Sequence, residues 1–221
     1  ATTALTTASQ DYAVSILGSA NVIAGATTFA NSGVVTLGNA AGDSTTFTAG
    51  VVATVPSALN IAGTVAANTS TSTMALGDGD TNVAVTANTT VGGAATGLID
   101  IGDATLVDAA TLTVGTGIAN AINLDAVTGT GSGAVSSLTI NTTGVVNVAE
   151  AVGTDIGVVT LTQSGGITFA STVAAVTVAL TDTSGTIQFS GNLTATTALT
   201  TASQDYAVSI LGAVNVIAGA T

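Results

Sequence analysis

The 221-residue sequence predicts an all-β protein built as a parallel β-solenoid rod, and three observations carry that expectation. β-Branched Val, Thr and Ile dominate while strong helix formers are scarce, with one Glu and no Lys or Arg, a choice that suits a pleated surface. Short runs of alternating apolar and polar residues recur along the whole chain, broken by single glycines or loose clusters such as GNAAGDS and GTGSG. Tight hairpins would call for Asn-Gly or Asp-Gly between strands, so these breaks fit a chain that keeps winding in one direction. The third observation is a long-period duplication. ATTALTTASQDYAVSILGSANVIAGAT at Ala1–Thr27 returns at Ala195–Thr221, differing only at Ser19/Ala213 and Ala20/Val214.

The strand candidates follow in chain order. Val34–Leu37 in GVVTLGN and Leu59–Ile61 in SALNIAG open the series, separated by Pro56, which stands between strands where no ladder bond is lost. Val83–Val85 in NVAVTAN, with the small Ala84 between two valines, and Leu112–Val114 in TLTVGTG, with Thr113 between apolar residues, come next. Ile122–Leu124 in AINLDAV, Leu138–Ile140 in SSLTINT, Val146–Val148 in VVNVAEA and Ile187–Phe189 in TIQFSGN repeat the pattern. Gly, Asn, Asp or Ser punctuates every one.

In a solenoid, like side chains stack along the axis: Val, Ile, Leu and Ala inside, with ladders of Asn and Thr able to bond to one another. At roughly 20–25 residues per coil, a 194-residue period makes about 8–10 coils and extends the rod by about 40–48 Å. The alternative is a string of antiparallel β-sandwich domains of about 97 residues, which share the strand spacing.

The duplication sets the organisation: residues 1–194 form one full repeat of a tandem array, and 195–221 begin the next as a copy of 1–27. With no initiator Met, the chain reads as a slice of something longer.

Composition excludes several functions. Lys, Arg, His, Cys and Trp are all absent, and 12 acidic side chains leave a net charge of −12. Without cations there is nothing to neutralise the phosphates of a nucleic acid or to hold an anionic lipid surface. Zinc sites rest on His or Cys, and general bases and activated nucleophiles centre on His, Lys or Cys. Mean hydropathy is +0.70, but it comes from Ala and Val set among Thr, Ser and Gly. No apolar run is long enough for a spanning helix, and six aromatics are too few for the girdles of an outer-membrane barrel. Membrane insertion is not expected. Trypsin-like proteases find no cleavage site in such a chain.

Modules such as GVVTLGNAAGDSTTFTAGVVATV at Gly33–Val55 and SALNIAGTVAANTSTST at Ser57–Thr73 resemble the repeats of large secreted bacterial surface proteins of the filamentous-haemagglutinin and autotransporter-passenger type. The resemblance covers most of the chain as texture, without a diagnostic motif. It implies a β-solenoid adhesin outside the cell with no catalytic residues; the absence of Lys and Arg departs from that family.

Candidate sites are few. ALGDGDTN at Ala75–Asn82 brings Asp78 and Asp80 together on a Gly-rich turn, as calcium loops do, though EF-hand spacing is missing and a solvated turn accounts for the same residues. Asp100, Asp103 and Asp108 in IDIGDATLVDAA read as outward positions beside Ile99, Ile101, Leu106 and Val107. Paired carboxylates cleave glycosides, the one enzyme class left open, but no aromatic platform for sugar is evident. Asn68, Asn88, Asn141 and Asn192 match the N-glycosylation pattern.

The sequence-level expectation is therefore an extracellular structural or adhesive segment of a large surface protein. It needs no cofactor, Asp78 and Asp80 being the candidates should calcium bind, and its partners are copies of itself and a neighbouring or host cell surface. Two other readings stand beside it: a subunit that polymerises non-covalently into a filament or surface layer, and a carbohydrate-binding β-helix.

Overall fold

The computed structural model describes residues 2–219; Ala1, Ala220 and Thr221, the outer ends of the two copies, lie outside the described residues. The fold is a parallel β-solenoid of about 9 turns. Every strand pairing among the described residues is parallel, and strands between the first and last coils bond to counterparts one coil before and one coil after. That arrangement rules out antiparallel sandwiches.

Each coil contributes to three stacks of strands, here called faces. The first face is a nine-stranded sheet running from Thr27–Thr28 to Ala207–Ile210. A fifteen-stranded sheet supplies the other two. Leu59–Ala67 shows how one sheet makes two faces: its first half pairs with Val35–Leu37 on the second face and its second half with Ser44–Phe47 on the third, with a register shift between Ile61 and Gly63. Gly63 sits at that shift with φ +72°, where a Cβ would collide with the Asp43 carbonyl. Only glycine turns this corner without strain.

The core follows from alternation. On the first face Val51, Met74, Ile99, Ile122, Val146, Ile167 and Ile187 form one inward row, and Leu76, Ile101, Leu124, Val148, Phe169 and Phe189 form the next. All of them are buried, and each large aliphatic side chain so placed contributes about 1.5–3 kcal/mol. Phe169 and Phe189 stack at 4.9 Å with planes 4° apart, while Phe29 meets Phe47 edge to face at 6.0 Å. Seven of the eight sequence-read strands lie within observed strands, and the eighth, Val34–Leu37, starts one residue ahead of the observed Val35–Leu37.

Corners are held by buried polar side chains reaching back one coil. Asn120 Nδ2 donates to the carbonyls of Ala95 and Gly97, both at 2.7 Å. One coil on, Thr142 Oγ1 bonds the carbonyls of Ile118 and Asn120, and further along Ser164 and Thr183 join their hydroxyls at 3.0 Å. At another corner Thr81 Oγ1 bonds the carbonyls of Thr54 and Pro56, so Pro56, itself lacking a donor, still has its carbonyl satisfied. Turn carbonyls that face away from solvent have to be paired in this way.

On the first face the step between coils ranges from 20 residues, Ile167 to Ile187, to 25, Met74 to Ile99. On the second face, eight coil steps lead from Val14 through Val35, Leu59, Val83, Ala104, Val127, Val152 and Val173 to Leu193. The counterpart of Val14 in the second copy is Val208, which pairs with Ile187 on the first face. The two copies therefore lie on different faces.

Candidate functional site

Asp78, Asp80, Asp103 and Asp125 lie along the corner between the first and second faces, with Asp100 beside them on the first face. Asp78 opens the loop after Met74–Leu76, and its Oδ1 accepts the backbone N–H groups of Asp80 at 3.0 Å and Thr81 at 2.8 Å. That is an Asx turn, and it occupies the side chain that the sequence offered to calcium. Asp80 points outward, exposed. Register places Asp103 one coil above Asp78, and Asp103 Oδ1 accepts the Ala126 N–H at 3.2 Å. Asp100 stands outward on the first face, opposite Ala75 and Asn123.

Asp125 completes the group. Partial burial lifts its carboxyl above the usual value, and the charges of Asp103, Asp100 and Asp78 push it the same way. Sequence reasoning missed Asp125, although it follows Asp103 by 22 residues, close to one coil. Among the described residues no three acidic side chains converge closely enough to hold a metal ion. Asp108 lies apart from this group and binds Thr130 Oγ1 at 2.6 Å. Ile99, Ile101 and Leu106 are buried as expected, whereas Val107 is exposed at 37%, because it sits beyond the end of its strand.

The four sequon asparagines share a structural role. Asn68, Asn88 and Asn192 each accept a backbone N–H from the following coil through Oδ1, from Ala94, Thr111 and Val214 respectively. Asn141 Oδ1 accepts from Gln163 Nε2 at 3.0 Å. Asn68 and Asn88 are exposed; Asn141 and Asn192 are half-buried.

Outside, the third face carries a straight row of hydroxyls. Ser44, Thr64, Thr90, Thr113, Thr139 and Thr160 are register neighbours in successive coils, spaced by the strand separation of about 4.8 Å. This row too was invisible without the register. Apart from this row, a shallow groove of about 230 Å³ at the corner between the second and third faces passes Val135, Asp155, Ala174 and Thr194. Thr154 and Asp155 both adopt left-handed φ there, and Asp155 Oδ2 is buried without a partner. All four Phe residues are interior, so none offers a stacking platform to a sugar.

Compared with protein-family models, curated proteins and solved structures, the chain matches none.

Proposed function

We propose that this chain is a structural and adhesive segment of an extracellular surface protein or filament, of the β-solenoid adhesin type, and that it acts as a spacer without catalysis. The observation that supports this best is the uninterrupted parallel stacking of coils from Val14 to Ile217. Stacked coils make length, and the outward rows of Thr, Asn and Asp present a surface of hydroxyls, amides and negative charge. Acidic groups without cations discourage adsorption of other acidic surfaces, which suits a filament exposed to its surroundings. Stability comes from ladders and packing, so neither disulfides nor ion pairs are required.

Electron microscopy of proteins carrying one, two and three 194-residue periods tests the reading. A thin rod should lengthen by about 42 Å per period at about 4.8 Å per coil. Beads, or no growth in length, would overturn it.

A further inference from the structure

The third face is an uncharged strip along an acidic rod. Of the 12 acidic residues, Asp100 alone lies inside a strand among the described residues, and that strand belongs to the first face. The remainder stand in corners and loops. Asp43, Asp108 and Asp155 border the third face at its corner with the second. Its other edge is free of acids for most of the rod: the loops leading from the third face to the first hold none from residues 48–50 through residues 164–166.

Two outward rows run along this strip in the middle of the stack. Thr90, Thr113, Thr139 and Thr160 form the first. Two residues earlier in each later strand, Thr111, Ser137, Val158 and Thr177 form the second. Elsewhere outward hydroxyls are tied back to the chain, Thr105 to Asn82 Oδ1, Thr116 to the Gly93 carbonyl and Thr130 to Asp108 Oδ1, whereas among the described residues no such bond engages the hydroxyls of these two rows. Each keeps a donor and two acceptors for something outside, repeated at the coil spacing of about 4.8 Å. Only a surface with the same repeat meets every one of them in register, and a second rod of this chain has that repeat by construction.

We propose that two copies of this chain pair side by side through their third faces, with the rods parallel and related by a two-fold axis along their length. Rotation about that axis keeps each coil at its own height and exchanges the two rows, so Thr113 meets Thr111 of the second rod, Thr139 meets Ser137 and Thr160 meets Val158. Facing sheets interdigitate through small side chains in this way. The same rotation sets the acidic corner of Asp108 and Asp155 beside the second rod's other edge, where Asn141 and Gln163 carry amide donors. An antiparallel pair would set acid against acid, which is costly. Eight strands of about four residues give each rod a strip of about 500 Å², and the pair buries about 1,000 Å² in all, the lower limit for a specific interface. Pairing is therefore reversible and, between two chains of net charge −12, strengthened by salt. The proposal rests on the stacked rod and deepens the adhesive reading by naming its partner.

Sedimentation equilibrium of the full chain tests it and should show a monomer–dimer equilibrium that shifts toward dimer as NaCl is added. Thr139→Asp and Ser137→Lys each set like charges about the axis and should each weaken dimerisation by about tenfold or more, with an unchanged circular dichroism spectrum. An equimolar mixture of the two should recover a dimer of one of each, because the new carboxylate of one faces the new ammonium of the other. Asn147→Asp adds the same charge outward on the first face and should dimerise like the unaltered chain. Equal weakening by Asn147→Asp overturns the assignment to the third face, and a mixture that fails to recover the dimer overturns the parallel register. A chain that stays monomeric at every salt concentration, while electron microscopy still shows the rod, overturns pairing and leaves the rod reading intact. Co-sedimentation of that monomer with microcrystalline cellulose would give the face to a polysaccharide instead. Loss of the rod itself removes both readings.

Discussion

Val14 and Val208 are the same residue of the duplicated segment, yet Val14 pairs with Val35 on the second face and Val208 with Ile187 on the first. Eight coil steps carry the second face from Val14 to Leu193, and the chain then passes the third face before Val208 reaches the first. One 194-residue offset is thus about eight and two-thirds coils. In a tandem array each period would be turned by about one face relative to the last, roughly 120° in a three-faced coil, for a rise of about 42 Å. A single gold label per period, on Cys substituted at exposed Asn147, should occupy three azimuths in turn and return to its starting face after three periods. Labels in one straight line would show that the period is a whole number of coils.

Asn120 is the polar side chain on which its corner depends, because its amide satisfies the carbonyls of Ala95 and Gly97. Asn120→Ala leaves both without a donor and should cost about 2–3 kcal/mol in urea unfolding. Asn120→Asp should cost more, since a buried carboxylate supplies no donor and resists losing its water. Equal stability of all three chains would mean that water replaces the amide at this corner.

These features differ in how far the sequence exposes them. Val146–Val148 and Ile122–Leu124 have one polar residue between two apolar ones, so alternation reveals them. Met74–Leu76 and Ala104–Leu106 are as short, but the first holds no β-branched residue, unlike Val83–Val85, and the second follows directly on Gly102–Asp103. Absence of hairpin turns made the parallel winding legible. Register was not, because coils of 20 to 25 residues give stacked positions no constant spacing. The Thr64–Thr160 row, the Asn120 corner and the nearness of Asp125 to Asp103 all depend on register, and all three emerge only from the folded chain.

Asp125 links stability to pH with a definite sign. Its folded carboxyl titrates above the ordinary 3.8 through burial first and then the charges of Asp103, Asp100 and Asp78, so the folded chain binds that proton more tightly than the unfolded one. The stabilisation this provides is fully present below the unfolded value and is lost as pH rises through the folded value. Asp125→Asn should therefore raise Tm at pH 7 and leave it nearly unchanged at pH 3. Salt should raise the Tm of the unaltered chain at pH 7 by screening the same repulsion, and by less in Asp125→Asn. A lower Tm for Asp125→Asn at pH 7 would show that the carboxylate is stabilising there.

The Phe169–Phe189 stack tests how far cooperativity extends along the rod. Coils contact only their neighbours, so stability is a sum of coil and interface contributions, and the ring pair at 4.9 Å belongs to one interface near the C-terminal end. Phe169→Ala removes a fully buried ring and should cost about 3–5 kcal/mol. That loss falls on one coil and its interfaces with Val148 before it and Phe189 after it, so the coils from Val173 onward should open before those ahead of Val148, turning one unfolding transition into two. Hydrogen exchange should then show protection falling first in Leu193–Thr201 and Ala207–Ile210 while Leu59–Ala67 keeps its own. Phe169→Leu, which preserves most of the volume, should restore a single transition. Uniform loss of protection along the chain would instead mean that the coils fold as one unit, coupled beyond nearest neighbours.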